Sequence, residues 1–214
     1  MLYYFYLSVL LISGITGVVC WKNLEPRKLQ VLVPYLFLTL AIELYCNYIV
    51  QKYNASTGWI YNLLVPLTVI VFCFLYYRLP LVKPFRNAIL ALLVINLVAV
   101  IIVYGFFEPI HTFNTYLFLV SGFIIVICGI FFLYQYFQLD STRAEKQWLP
   151  FVWITGGLVI YYSVSSITIA LYRLLVAHQV TVWGAKLHNI IPQLLSIILY
   201  SCFARAFYLC KKNK

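Results

Sequence analysis

Charged side chains are scarce in this chain of 214 residues: they make up 9% of it, and only five residues are acidic. Soluble domains carry about 25% charged and roughly 45 to 50% apolar residues, whereas this sequence is 64% hydrophobic and 19% aromatic. A chain this short has too small a core to bury so many apolar side chains in water. The composition therefore excludes a soluble enzyme, a disordered chain, a secreted disulfide scaffold and a nucleic-acid-binding domain, and it indicates lipid as the solvent.

Paired cysteines are also missing. The six cysteines stand singly, with no CxxC motif and no histidine at metal-ligand spacing, so we interpret them as small apolar fillers and expect no metal or cofactor. Cys20 ends an N-terminal apolar run, but no small residue precedes it directly as a lipoprotein site requires, and residues 2–19 are interpreted as a retained helix. No nucleophile with a base is apparent, and we expect no enzymatic activity.

Segments long enough to fold outside a membrane are absent between the apolar runs. The longest connection on the basic side, Gln138 to Trp148, is too short to fold alone. We therefore expect no built-in kinase, nuclease or ATPase. Any signal would have to pass to a separate protein.

Apolar runs of about 20 residues, the length that crosses a bilayer as a helix, occur seven times. The predicted fold is an all-α polytopic membrane bundle of seven transmembrane helices, forming one domain over residues 1–214. All five tryptophans lie near predicted ends of spans, where indole rings prefer the membrane interface. The predicted spans are Leu2 to Val19, Leu29 to Val50, Gly58 to Tyr77, Phe85 to Phe107, Phe113 to Phe137, Leu149 to Leu175 and Leu187 to Tyr208.

Basic residues lie mainly on one set of connections. Only Lys52, Arg173 and Lys186 fall on the other set. The positive-inside rule then predicts an outer N-terminus and a cytoplasmic C-terminus, in a multi-pass protein of the inner (cytoplasmic) membrane. The residues on the basic side are Lys22, Arg27, Lys28, Arg78, Lys83, Arg86, Arg143, Lys146, Arg205, Lys211, Lys212 and Lys214.

Spans two and six share a pattern. Pro34 and Pro150 are each followed by alternating aromatic and aliphatic residues, a threonine, and a tyrosine eleven positions on, Tyr45 or Tyr161. The match favours two parallel three-helix units joined by span four, a 3+1+3 arrangement known from transporters. The alternative is that both prolines simply occupy first turns, where the missing N–H costs nothing.

Two other prolines, Pro66 and Pro192, lie about two turns inside spans three and seven. A proline there removes one intrahelical hydrogen bond and bends the helix. Each follows a polar residue by four positions, Asn62 or His188. We interpret both as kinks beside a cavity, although packing alone also accommodates proline in membrane helices.

Polar side chains concentrate in the predicted outer half of the bundle and indicate a chamber that opens outward. Glu43 is the only acid well inside a span, and such residues mark ligand sites or proton paths by default. The alternatives are that Glu43 is protonated and only bonds neighbouring helices, and that the amides join helices. The candidate ligand-binding residues are Glu43, Asn47, Asn62, Asn96, Tyr162, Ser166, Arg173, His188 and Gln193.

A cationic partner for Glu43 is expected among these residues. Arg173 or His188 would stabilise the ionised carboxylate in a low dielectric, and either member of the pair would hold a polar ligand. The alternative for Arg173 is that its side chain extends to the membrane interface.

The last two spans resemble those of small bacterial seven-helix proteins similar to the membrane-sensing modules that accompany sensor histidine kinases. The resemblance is carried by Pro150 to Ile154, Gly157, Ile160 to Ser163, His188 to Ile191 and Ile197 to Tyr200. It implies a sensing role, with a separate effector because this chain has no kinase region.

Three functions follow as hypotheses. The first is a receptor-like sensor that lies in the lipid bilayer. It would bind a small polar ligand from the outer side and signal to a separate effector at the basic cytoplasmic face. The second is a transporter of a small polar solute, with Glu43 as the proton-coupling group. The third is a structural subunit of a membrane complex.

Overall fold

The computed structural model describes residues 2–107, 113–138, 142–171, 181–182 and 185–212. Within these ranges, the side chains of residues 106–107, 142–146, 181–182, 185–186, 188–189 and 212 are not described.

Eight α-helices occur in the described ranges, and one of them is a single turn. Two 3-10 turns, Glu25–Arg27 and Leu29–Val31, lead from α2 towards α3, and a π-helical segment, Val103–Phe107, continues α5. The helices are α1 (Leu2–Val19), α2 (Trp21–Leu24), α3 (Leu32–Tyr53), α4 (Gly58–Tyr77), α5 (Lys83–Ile102), α6 (Thr115–Phe137), α7 (Thr142–Ala170) and α8 (Leu187–Lys212).

Seven helices are long and apolar enough to cross a membrane, which confirms the predicted helical membrane bundle and its spans to within a few residues. Apolar runs become helices in lipid because a helix satisfies its own backbone hydrogen bonds where no water is present. Span two continues three residues beyond its predicted end, to Tyr53. The predicted end of span six, Leu175, lies outside the described residues.

A short hairpin departs from the purely helical prediction. Thr181–Val182 pairs antiparallel with Ala185–Lys186 in the connection that precedes α8. Thr181 and Val182 are β-branched, which favours an extended backbone once the chain leaves the apolar run.

The seven long helices pack in sequence order around a ring, in which α8 returns to contact α1. Helix α4 also contacts α6, so α5 is left on the periphery with only those two as main neighbours. Only 11% of the most apolar stretch of α5 is buried, against 33% to 50% in the other six helices. Helix α5 therefore faces mainly lipid.

Hydrogen bonds bring the basic connections to one end of the bundle. Arg27 donates to the carbonyl of Cys210 at 3.4 Å, which joins the turn before α3 to the end of α8. Gln135 near the end of α6 accepts from the backbone N–H of Val82 at 3.2 Å. We call this the basic end, defined by Lys22, Arg27, Lys28, Arg78, Lys83, Arg86, Arg205 and Lys211.

Aromatic side chains fill the interior of the half nearest the basic end. Phe72, Tyr76, Phe132, Phe203 and Phe207 are almost fully buried. The phenol of Tyr76 also forms a 2.9 Å hydrogen bond with the hydroxyl of Thr155 on α7. This half is closely packed.

Glycines lie where helices approach most closely. A Cβ added at Gly17 would lie 2.7 Å from Val33 Cγ2 on α3 and 3.2 Å from the ring of Phe207 on α8. A Cβ at Gly129 on α6 would lie 2.8 Å from Val159 Cγ2 on α7. Small residues allow this approach, and van der Waals packing drives helix association in lipid.

We expect Gly17→Ala to destabilise the bundle by about 1 to 3 kcal/mol, because the added methyl group forces α1 away from two neighbours. Gly156→Ala is the matched control, since a Cβ at that position meets no atom within 4 Å. The free energy of unfolding of both variants is measured by SDS titration in one detergent. Equal stability of the two variants would contradict the observed packing.

Candidate functional site

A cavity of about 570 Å³ lies in the half of the bundle opposite the basic end. Its described lining residues belong to α1, α3, α4, α6, α7 and α8, together with Phe113 just before α6. None of them belongs to α5. The apolar lining consists of Val65, Phe113, Phe118, Ile169 and Pro192. The cavity is bordered by six of the seven long helices.

Glu43 is the acid in the cavity wall. It lies ten residues before the end of α3 at Tyr53, or about 15 Å along the helix axis. The phenol of Tyr61 on α4 donates to Glu43 Oε2 at 3.1 Å, and the phenol of Tyr6 on α1 lies beside the carboxyl group. Three helices thus meet at one carboxyl group.

Tyr3 also bonds to Glu43, but through the backbone. Its phenol donates to the Glu43 carbonyl oxygen at 3.1 Å. Tyr3 and Tyr6 are one turn apart on α1 and so share a face. This face of α1 holds both the backbone and the side chain of Glu43 in position.

The opposite wall carries hydroxyl groups from α7 and α8. Tyr161 is near enough to Glu43 to interact with it electrostatically, and its phenol lies beside the hydroxyls of Ser165 and Ser196. Ser165 is 3% exposed, and its Oγ has no hydrogen-bond partner among the described residues. A buried polar atom without a partner is costly, and Ser165 is one of the residues that line the cavity.

No basic side chain of the described residues lines the cavity, and Glu43 forms no ion pair within the described part of the chain. Arg173, one of its two expected partners, lies outside the described residues. The other, His188, has its backbone in the first turn of α8, but its side chain is not described. The predicted ion pair stays a prediction.

Gln193 is the other predicted site residue in the described lining of the cavity. Asn47 lies one turn from Glu43 on α3 but accepts from Gln51 at 3.2 Å, outside the cavity wall. Tyr162 and Ser166 face α6 instead, where both would lie 3.2 Å from a Cβ added at Gly122.

The amides of Asn62 and Asn96 join helices. Asn62 Oδ1 accepts from the backbone N–H of Asn114 at 2.9 Å, and Asn114 in turn caps α6 by accepting from the backbone N–H of Leu117 at 2.7 Å. Asn96 Oδ1 accepts from the hydroxyl of Ser121 at 2.9 Å, between α5 and α6. Neither amide is among the described residues that line the cavity. Both join helices instead, which was the alternative to ligand binding.

Both internal prolines are close to the cavity. Pro192 lines it, and Pro66 follows the lining residue Val65. Pro66 has no N–H to donate to the carbonyl of Asn62 four residues earlier. The phenol of Tyr104 in the π-helical segment donates to that carbonyl instead, at 3.2 Å.

Sequence reasoning missed the hydroxyl side chains that line the cavity. Tyrosines are abundant here, with 19 in the chain, so their presence in a span carries little information. A usable signal was the one-turn spacing of Tyr3 and Tyr6 at the start of span one, at the same expected depth as Tyr61. The missed residues are Tyr3, Tyr6, Tyr61, Tyr161, Ser165 and Ser196.

We expect Tyr61→Phe to lower the free energy of unfolding by about 1 to 3 kcal/mol, because it removes a buried hydrogen bond to the Glu43 carboxyl group and leaves that group without this donor. In a Glu43→Leu background the same change should cost much less, since the acceptor is already gone. A double-mutant cycle measured by SDS titration gives this coupling. Tyr45→Phe is the control, because Tyr45 is 52% exposed on the same bundle, and an equal loss in both backgrounds would contradict the contact.

The chain matches no protein-family model, no curated protein and no solved structure. The resemblance to membrane-sensing modules therefore stays a prediction from the residues that carry it. The cavity and its carboxylate are the features from which a function can be proposed.

Proposed function

We propose that this protein is a receptor-like membrane module that binds a small ligand in the Glu43 cavity and signals to a separate partner at the basic end. The observation that carries the proposal is the cavity of about 570 Å³ around a carboxylate inside a helical membrane bundle. Ligand pockets in proteins typically measure about 300 to 1,000 Å³. An acid within a membrane span is a functional feature by default.

The close packing of the half nearest the basic end favours a receptor over a transporter, because a transporter needs access from both faces. Between the cavity and the basic end, Phe72 on α4 packs on Phe203 of α8 with ring centroids 6.1 Å apart. Phe132 on α6 stacks on Trp148 of α7 with centroids 5.6 Å apart. A ligand that enters from the cavity side meets a packed aromatic interior beyond it.

Helices α4 and α8 are the routes by which binding would reach the basic end. Each carries an internal proline at or beside the cavity wall, Pro66 or Pro192. Each then continues to the basic end, where α8 is held by the bond from Arg27 to the Cys210 carbonyl. A small movement at the prolines would therefore change the basic surface that a partner contacts.

In this proposal the basic end faces the cytoplasm and the cavity opens to the outside of the inner membrane. Clusters of lysine and arginine on short connections stay on the cytoplasmic side during insertion.

The orientation predicts the behaviour of two fusions in a Gram-negative bacterial host. Green fluorescent protein at the C-terminus should fluoresce, because it stays in the cytoplasm. Alkaline phosphatase fused after Ala55, between α3 and α4, should be active because it is exported. A dark C-terminal fusion together with inactive phosphatase at Ala55 would reverse the orientation.

A transporter of a small polar solute is the second candidate, with Glu43 as the proton-coupling group. It is favoured by the composition of the cavity wall, which takes residues from spans one to three and five to seven while α5 lies outside. That division is the one expected of a 3+1+3 repeat, in which span four only links the two units.

The binding proposal predicts that at least one compound in a panel of small metabolites raises the melting temperature of the purified protein. A ligand at a hundred times its Kd stabilises by about 2.7 kcal/mol. Glu43→Gln should lose this effect, whereas Glu25→Gln should keep it, because Glu25 lies exposed in the turn at the basic end.

If no compound stabilises the wild type, or if Glu43→Gln responds as the wild type does, the cavity is not the binding site and the proposal fails. Uptake of the stabilising compound into liposomes separates the two candidates. A receptor binds the compound without accumulation, and a transporter accumulates it.

A further inference from the structure

The charge of the described cavity wall is one-sided. Glu43 contributes a carboxylate, and no lysine, arginine or histidine of the described residues lines the space. The phenol of Tyr61 bonds to the carboxyl group and the phenol of Tyr6 lies beside it, but they bring no positive charge. An ionised carboxylate inside a membrane is stabilised by a cation, and a positively charged ligand would supply one.

The cavity wall is also rich in aromatic rings. Rings attract cations through the negative potential of their faces, and a cage of several rings is the usual means by which proteins recognise organic ammonium groups. A carboxylate within such a cage adds a direct charge partner. The aromatic wall consists of Tyr3, Tyr6, Tyr61, Phe113, Phe118 and Tyr161.

The size of the cavity favours an organic ion over a metal ion. A volume of about 570 Å³ is many times the roughly 30 Å³ that one water molecule occupies in the liquid. The only acid in the described wall is Glu43, and phenols and serine hydroxyls are weak ligands for a bare divalent ion. The wall therefore suits a molecule with a charged head and further atoms that fill the space.

Ser165 indicates what the rest of that molecule carries. Its hydroxyl is buried and has no hydrogen-bond partner by geometry among the described residues, and it lies beside Tyr161, which interacts electrostatically with Glu43. Gln193 and Ser196 line the same space. A ligand with its positive group at Glu43 and a hydroxyl or ester oxygen near Ser165, Gln193 or Ser196 would pair with polar groups of this wall.

We propose that the Glu43 cavity binds a small organic ammonium ion that bears a hydrogen-bonding oxygen. The inference rests on the proposed function, since it names the ligand class of the same cavity. The same ammonium chemistry occurs in soluble amines and in the headgroups of phosphatidylethanolamine and phosphatidylcholine.

The test uses matched probes that differ only in charge. Binding of choline and ethanolamine to the full-length protein in detergent is measured by calorimetry. The control probe is the uncharged isostere of choline, in which carbon replaces nitrogen. We expect at least one of the two amines to bind with an affinity about tenfold or more above that of the isostere. The isostere has no positive charge and so cannot form the cation–π interaction or pair with Glu43.

Two variants tie binding to the cavity. Glu43→Gln keeps the shape of the side chain and should weaken binding of the amine about tenfold or more. Ser165→Ala should not lower the melting temperature, since its hydroxyl has no hydrogen-bond partner by geometry among the described residues. The same variant should bind choline more weakly than the wild type does. Its affinity for tetramethylammonium, which has no oxygen, should equal that of the wild type. Loss of choline binding in Glu43→Gln is interpreted only if that variant melts as a folded protein, and otherwise Ser165→Ala carries the test.

Two arms separate the sources of the ammonium group. Stabilisation by short-chain phosphatidylethanolamine or phosphatidylcholine, but not by phosphatidylglycerol, would assign the cavity to a lipid headgroup. Stabilisation by soluble amines alone would assign it to a free molecule. Either result supports the inference.

Equal affinity for choline and its uncharged isostere would overturn the inference, as would failure of every ammonium probe in both arms. If neutral or anionic compounds of the metabolite panel still bind in a Glu43-dependent manner, the receptor proposal stands and only the ligand class is wrong. If no compound of any class binds, both proposals fail.

Discussion

The contacts of Glu43 with the phenols of Tyr6 and Tyr61 are the interactions on which the half of this bundle opposite the basic end depends. In lipid, a carboxylate without partners costs several kcal/mol, so its position requires hydrogen-bond donors from other helices. Tyr61 of α4 donates to the carboxyl group, Tyr6 of α1 lies beside it, and Tyr3 of α1 donates to the backbone carbonyl of Glu43. One acidic residue thereby fixes the relative positions of three helices and leaves a cavity beside them.

The same residue types serve opposite purposes in the two halves of the bundle. Near the basic end, Phe72, Phe203 and Phe132 are almost fully buried, and the phenol of Tyr76 forms a hydrogen bond with Thr155. Near the other end, the hydroxyl of Tyr61 bonds to Glu43, that of Tyr161 lies beside Ser165 of α7 and Ser196 of α8, and a cavity lies between these residues. The difference arises from the polar groups, because a polar group must be satisfied before apolar surfaces can close over it.

A side chain from another segment replaces the backbone hydrogen bond that Pro66 removes from α4. Pro66 cannot donate to the carbonyl of Asn62, and the phenol of Tyr104 replaces the missing donor. The Asn62 side chain meanwhile holds the backbone at the start of α6. These bonds join the π-helical segment and the start of α6 to the first turns of α4, next to the cavity. A residue first considered for ligand binding thus positions the helices that form the cavity wall.

The amino-acid sequence alone determined the number of membrane-crossing helices and their bounds, because the apolar length needed to cross a bilayer is fixed and is visible in one dimension. It also identified Glu43, since an acid within an apolar run is conspicuous, and Gln193 on the same reasoning. Only the tertiary structure decided which polar residues share the cavity with them. Asn62 and Asn96 bond to other helices, Tyr162 and Ser166 turn towards α6, and Tyr3, Tyr6, Tyr61 and Ser165 enter the wall. Composition cannot distinguish these roles, because they depend on the rotation of each helix about its own axis, which is set by packing against neighbours that are distant in sequence.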